Sequence, residues 1–158
     1  MKTFNDNTGR TWTVTINVDA IKRVKSLLSV NLLDAIEGTL LERLVADPVL
    51  LCDILYALCK PQADAQKVSD EDFGRAMAGD AIDAAATAFL EELASFFPKG
   101  RRDLLRKALA KLRALESIAL AAAETRLDSP DLENRLREAI AGALSGNSPE
   151  SPALPPAP

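Results

Sequence analysis

The chain has 158 residues, of which 47% are hydrophobic and 4% aromatic, and 19 basic and 23 acidic side chains give a formal charge of −4. This length suits one domain with a sizeable core, and the abundance of Ala and Leu favours helices. The negative balance argues against nucleic-acid binding by bulk charge, and the lack of a signal-like start or of about 18 consecutive apolar residues predicts a cytoplasmic protein with no membrane segment.

The first 18 residues predict a β-hairpin. Apolar residues alternate with Thr and Asn from Trp12 to Val18, which is the period of a half-buried strand. Lys2 to Asn5 can pair back on this strand through a tight turn with Gly9 in a left-handed position. Because an isolated hairpin is only marginally stable, we expect it to pack on the helices through Trp12 or to pair by its edge with another chain.

Residues 19–127 predict a helical domain that begins with several short elements. Asp19 is a typical N-cap for a first helix that should end at Leu28. Asn31 and Thr39 are suited to cap the two short helical segments that follow.

The next helix should be nearly apolar on all sides. Asp47 and Pro48 are typical of the N-cap and the first helical position, and the residues after them are almost all apolar. Pro61 is expected to end this helix, because proline lacks a backbone N–H, and the polar residues 61–68, PQADAQKV, are expected to form a loop.

Two helices are then predicted between Val68 and Pro98. Ser69 is a typical N-cap, and the three acids after it fit the first turn, where they favour the helix dipole; we do not interpret them as a metal site. Gly79 and Asp80 should stop this helix and cap the next. Apolar residues in the second helix recur at spacings of three and four and predict one stripe, widened by Ala85, Leu90 and Phe97: Ile82, Ala86, Phe89, Leu93 and Phe96.

The charge of the chain reverses after Pro98. Seven bases and one acid lie between Lys99 and Arg113, a local charge of +6 that leaves −10 for the rest of the chain. The apolar face of this longest helix, which should reach Leu127, is expected to pack antiparallel to the preceding helix: Leu105, Ala108, Leu109, Leu112, Leu115 and Ala119. The bases fall on the other faces, and candidates for binding a partner are Arg101, Arg102, Arg106, Lys107 and Lys111.

This basic surface has three interpretations. It could be a solvated helix face or a docking site for an acidic partner. Nucleic acid is the weaker alternative, because no aromatic residues interleave with the bases to stack on them.

A separate C-terminal helix is predicted over residues 128–144, with Ser129 and Pro130 at its start. Its apolar residues are four apart and form one narrow stripe, which could bind a partner or form a homo-oligomer: Leu132, Leu136, Ile140 and Leu144. Residues 145–158 are rich in Pro and Ser and are expected to be disordered. The predicted fold is therefore mainly α: a β-hairpin, a bundle of about six to seven helices and a disordered Pro-rich tail.

The common catalytic templates are missing from the sequence. It has no His, no C-x-x-C pair, no G-x-S-x-G and no phosphate-binding glycine loop, so we expect neither enzyme activity nor a cofactor or metal. Cys52 and Cys59 are about 10 Å apart along one helix, too far for a disulfide, and should be reduced, buried or half-buried thiols.

Several segments between Trp12 and about Leu109 resemble the tail assembly chaperones of long-tailed bacteriophages and prophages. They are WTVTINV at Trp12 to Val18, NLLD at Asn31 to Asp34, DPVLL at Asp47 to Leu51, LYALC at Leu55 to Cys59, VSDEDFGRAMAGD at Val68 to Asp80 and FFP at Phe96 to Pro98. The resemblance implies a protein that binds the apolar tape-measure protein, keeps it soluble and helps tail-tube protein assemble around it. It also implies that the chaperone leaves the finished tail, and that a longer frameshifted product accompanies this short form.

Two other classes of function stay open at this point. One is a structural head-tail connector or other helical adaptor that remains in the phage particle and oligomerises through the hairpin edge. The other is a nucleic-acid-binding regulator that uses the bases between Lys99 and Arg113, for which binding should depend steeply on salt.

Overall fold

The computed structural model describes residues 1–146, and its architecture confirms the predicted mainly α fold with an N-terminal hairpin. Of the predicted disordered tail, residues 145–158, Ser145 is the last residue of α7, and residues 147–158 lie outside the described residues. In chain order the elements are β1 (Lys2–Asn5), β2 (Thr11–Val14), α1 (Val18–Leu28), a 3₁₀ helix (Leu32–Ala35), α2 (Leu40–Ala46), α3 (Pro48–Gln66), α4 (Asp70–Arg75), α5 (Asp80–Phe96), α6 (Lys99–Leu127) and α7 (Pro130–Ser145).

The chain divides into two units, Met1–Lys111 and Leu112–Pro158. The division falls inside α6, whereas the sequence placed a domain boundary after residue 127. Of the second unit, the structure describes Leu112 to Gly146.

The hairpin is antiparallel, with Phe4 opposite Trp12 and Thr3 opposite Thr13. One face, which carries Phe4, Trp12 and Val14, is buried as predicted. The strand ends at Val14 and does not extend to Val18, so that part of the prediction is wrong. The next helix begins earlier than expected, because the side chain of Asn17 accepts a hydrogen bond from the Ala20 N–H and is the N-cap.

Asp19 is therefore not the N-cap of α1, as the sequence had suggested. It lies in the first turn, where its carboxylate is 2.7 Å from the guanidinium of Arg23 one turn further on. The other predicted caps hold for the 3₁₀ helix, α3 and α4, where the side chains of Asn31, Asp47 and Ser69 accept backbone hydrogen bonds.

Helix α3 passes through Pro61 and continues to Gln66, so the predicted helix end and loop are wrong. Proline leaves the carbonyl four residues earlier, that of Ala57, without its helical donor. The guanidinium of Arg23 on α1 donates to the carbonyls of Ala57 and Leu58, at 3.4 and 3.3 Å. A neighbouring helix thus supplies a donor that the proline cannot, and Ala63, two residues after Pro61, is buried.

Helix α5 carries the central buried stripe of the first unit, although the stripe is rotated from the predicted one. Phe89 and Leu93 are fully buried as expected. Five further residues of α5 are buried, namely Ala81, Ala85, Ala88, Glu92 and Ala94. Four residues of the predicted stripe are only half-buried: Ile82, Ala86, Leu90 and Phe96. Gly79, with φ of +56°, precedes the helix, and Asp80 is its first residue and not its cap.

Helix α6 buries only Leu105 and Leu109 of its 29 residues. Leu112 is half-buried, and Leu115 and Ala119 are exposed. The predicted burial of the whole apolar face is therefore wrong beyond Leu109.

Candidate interaction surfaces

Four of the five bases predicted to bind a partner are exposed on the first half of α6, namely Arg101, Arg106, Lys107 and Lys111. The fifth, Arg102, is half-buried and has a structural role. Its guanidinium donates to the carbonyls of Phe97 and Ser95 at the end of α5, at 3.2 and 3.4 Å. This contact fixes the start of α6 against the end of α5 and satisfies carbonyls that the helix end leaves free. Arg102 is accordingly removed from the candidate binding residues.

The predicted apolar stripe of α7 is almost entirely exposed. Leu132 is half-buried, whereas the exposed fractions of Leu136, Ile140 and Leu144 are 55%, 59% and 85%. The helix itself is well defined locally: Ser129 is its N-cap, Pro130 its first residue, and two ion pairs of arginine with an acid one turn earlier lie along it. No residue of α7 is buried. It is a formed helix with an uncovered apolar face.

The hairpin packs on the helices and is held by one buried carboxylate. Asp6 accepts hydrogen bonds at Oδ1 from the hydroxyl and backbone N–H of Thr8 and from the backbone N–H of Arg10, and at Oδ2 from the indole N–H of Trp12 at 2.9 Å. Burial disfavours the charged carboxylate, but these hydrogen bonds outweigh it and lower the pKa of Asp6. The Trp12 ring meets Phe73 of α4 edge-on, with the ring centroids 5.0 Å apart.

The two outer edges of the hairpin differ. At β2, the N–H of Thr13 donates to the side-chain amide oxygen of Gln62 at 2.9 Å. The carbonyl of Thr13 accepts a hydrogen bond from the side-chain amide nitrogen of Gln62 at 2.7 Å. The α3 side chain therefore takes the place of a neighbouring strand and closes this edge. Pairing with another chain, one of the two expectations for the hairpin, stays a prediction for the β1 edge, where Thr3 is exposed.

Sequence reasoning missed both Gln62 and the role of Asp6. The order Asp6-Asn7-Thr8-Gly9 indicated a turn but not that its acid would also bind Trp12. Gln62 lies in the segment that was predicted to be a loop because of Pro61. It contacts Thr13, which is 49 residues earlier in the sequence. No local pattern could have identified it.

The acidic and sulfur-containing side chains do not form a site. Within residues 1–146 no group of three or more His, Cys, Asp or Glu side chains could hold a metal ion. Both cysteines are free, and burial raises the pKa of Cys52 to about 11 and that of Cys59 to about 12. These thiols are protonated near neutral pH, which makes them poor nucleophiles.

The fold and these surfaces define a mainly helical protein with an exposed basic helix face and an exposed apolar one. None of the described helices combines the length and apolarity that crossing a bilayer requires. No protein-family model, curated protein or solved structure matches the chain.

Proposed function

We propose that this protein is a non-enzymatic tail assembly chaperone of a long-tailed phage or prophage, acting in the host cytoplasm. Its client is the tape-measure protein, which it binds and keeps soluble while tail-tube protein assembles. The proposal combines the resemblance of the segments between Trp12 and Leu109 with the exposed apolar stripe of α7, and the stripe is the single observation that carries it.

The α7 stripe suits an apolar helical client. Leu136, Ile140 and Leu144 recur every four residues along one side of a helix, so they present a continuous strip to a partner. An amphipathic helix that lays its apolar face along this strip would remove both from water, at about 25 cal/mol per Å² of apolar surface buried. The ion pairs of Arg135 with Asp131 and of Arg137 with Glu133 stabilise α7 without such a client.

Co-expression with a tape-measure fragment tests this proposal. We expect the fragment to be soluble with the wild-type protein and to precipitate with the double variant Leu136→Glu, Ile140→Glu, which places two charges in the stripe. The matched control is Asn134→Glu, Ala141→Glu, which adds the same two charges to the other side of α7 and should keep the fragment soluble. Equal insolubility with and without the wild-type protein would contradict the proposal.

Mass spectrometry of purified phage particles distinguishes a chaperone from a connector. A chaperone should be missing from purified phage particles by mass spectrometry, and the stripe variant should reduce the yield of particles. A protein found in the particles in a fixed, ring-like copy number would replace the chaperone proposal by the connector alternative.

A further inference from the structure

In the other described helices, five of the eight Lys and Arg side chains form an ion pair with an acid of the same helix. Ion pairs one turn apart join Arg23 to Asp19 in α1, Lys60 to Asp64 in α3, Arg75 to Glu71 in α4, and Arg135 and Arg137 to Asp131 and Glu133 in α7. In α6 no base takes part in an ion pair with any described residue, although Asp103 lies among them.

This arrangement is unfavourable for the isolated helix. The first turn of α6 has no acid but contains Lys99 and Arg101, two exposed cations that the positive end of the helix dipole disfavours. Lys107 and Lys111 are like charges four residues apart, which also disfavours the helix. The sequence therefore keeps a surface that lowers the stability of its own helix, as is common at binding sites.

An exposed leucine lies within this surface. Leu104 is 57% exposed, and its position three residues after Arg101 and three before Lys107 places it on the same side of the helix. Lys111 continues this side one turn further. We call these four residues the basic face. An apolar side chain ringed by charges is typical of the centre of a protein-protein contact, where it is removed from water and the charges form the rim.

We propose that the basic face binds an acidic amphipathic helix of a partner protein, with Leu104 contacting an apolar residue and the three cations pairing with flanking acids. The rest of the chain carries a formal charge of −10 against the +6 between Lys99 and Arg113, so a long polyanion such as DNA meets overall repulsion beyond this helix. A short acidic helix can lie along the three cations of the basic face, and Asp103 is the single acid between Lys99 and Arg113. The inference does not depend on the proposed function, because it uses none of the α7 residues.

Binding to a designed helical peptide tests the inference with the full chain. The probe is a fluorescein-labelled 18-residue peptide of Glu, Ala and Leu that places one Leu per turn between two Glu, and its control has every Glu replaced by Gln. We expect saturable binding of the Glu peptide at low salt, weakened by added salt, and at least about tenfold weaker binding of the Gln peptide.

Variants locate the contact. Lys107→Glu, Lys111→Glu should weaken binding about tenfold or more, and Leu104→Ser about fivefold. The matched control Lys22→Glu, Lys25→Glu makes the same change in net charge at two exposed lysines of α1 that form no ion pair with a described residue, and it should change the affinity less than about threefold. Circular dichroism of each variant confirms that the helices remain.

Three outcomes would overturn the inference. The first is no binding of the Glu peptide by the wild-type protein at low salt, and the second is an equal loss in the α1 control. The third is tighter binding of a 20-base-pair DNA duplex than of the Glu peptide, which would make the surface a nucleic-acid site.

Discussion

Helices α5 and α7 have the same kind of sequence pattern, apolar residues three and four apart on one side, yet seven residues of α5 are buried and none of α7. Both helices are 16 or 17 residues long, and both begin with acids in the first turn. The difference is in what covers the stripe. A periodic pattern predicts that a helix has an apolar face, but it does not predict whether the same chain fills that face.

The cover of α5 comes from β1, from β2 and from α3, which are distant in sequence. Hydrogen bonds strengthen this assembly at defined points: Asn7 of the hairpin turn donates from its backbone and its side chain to the carbonyls of Ala76 and Ala78, at 3.0 Å each. The first unit is therefore a cooperative core, and we expect variants in it to reduce stability. Variants in α7 should affect binding and leave stability nearly unchanged.

The largest expected loss in the core follows removal of Trp12, which is fully buried. Trp12→Ala leaves a cavity against Phe73 and removes the donor at Asp6 Oδ2, so we expect it to lower the free energy of unfolding by about 3–5 kcal/mol. Urea denaturation followed by circular dichroism measures the change. A loss below about 1 kcal/mol would mean that the hairpin is not part of the core.

Asp6 should give the core a pH dependence. Its pKa is lower in the folded protein than the ordinary value of about 3.9, so its stabilisation is complete above that value and is lost as the pH falls through the folded pKa. Asp6→Asn should cost about 1–3 kcal/mol at pH 7, since the amide nitrogen cannot accept the hydrogen bonds of the carboxylate. The difference from wild type should narrow as urea titrations are repeated from pH 5 towards pH 2.

If the wild-type protein were more stable than Asp6→Asn by the same free energy at pH 2 as at pH 7, the lowered pKa of Asp6 would be contradicted.

The donation from Arg23 to the Ala57 carbonyl can be tested by a double-mutant cycle with Pro61. In the wild-type protein, Arg23→Ala removes a donor to the carbonyl that Pro61 leaves without its helical partner. With Pro61→Ala, the new N–H can bind that carbonyl, so the same arginine change should cost less, by about 0.5–1.5 kcal/mol. Free energies of unfolding of the four proteins give this coupling. Additive changes would show that Arg23 does not compensate for the proline.

These contacts mark the limit of what the sequence predicts. The capping of α3 and α4 by Asp47 and Ser69 was predictable because a cap and its helix are adjacent in sequence. The continuation of α3 through Pro61 was not, since it depends on Arg23 from another helix. The same holds for Gln62, whose contact with Thr13 exists only once the hairpin is folded on α3.

The candidate binding surfaces also contain some residues that the sequence predicts and others that depend on tertiary contacts. The sequence identified the bases of α6 and the stripe of α7 from charge and periodicity alone. It could not separate Arg102 from the other bases, because its role depends on the carbonyls of Ser95 and Phe97 at the end of α5. It also did not single out Leu104, whose exposure depends on which side of α6 is buried.

The smallest expected effect on stability is in α7 and tests the comparison directly. Leu136→Ser, Ile140→Ser removes two exposed apolar side chains, so the free energy of unfolding should change by less than about 0.5 kcal/mol, apart from a small loss of helix propensity. The matched variant in α5 is Leu93→Ser, which makes the same change at a fully buried position and should cost several kcal/mol. If the α7 variant were destabilised as strongly as Leu93→Ser, its stripe would be covered within the protein, and the difference between the two helices would disappear.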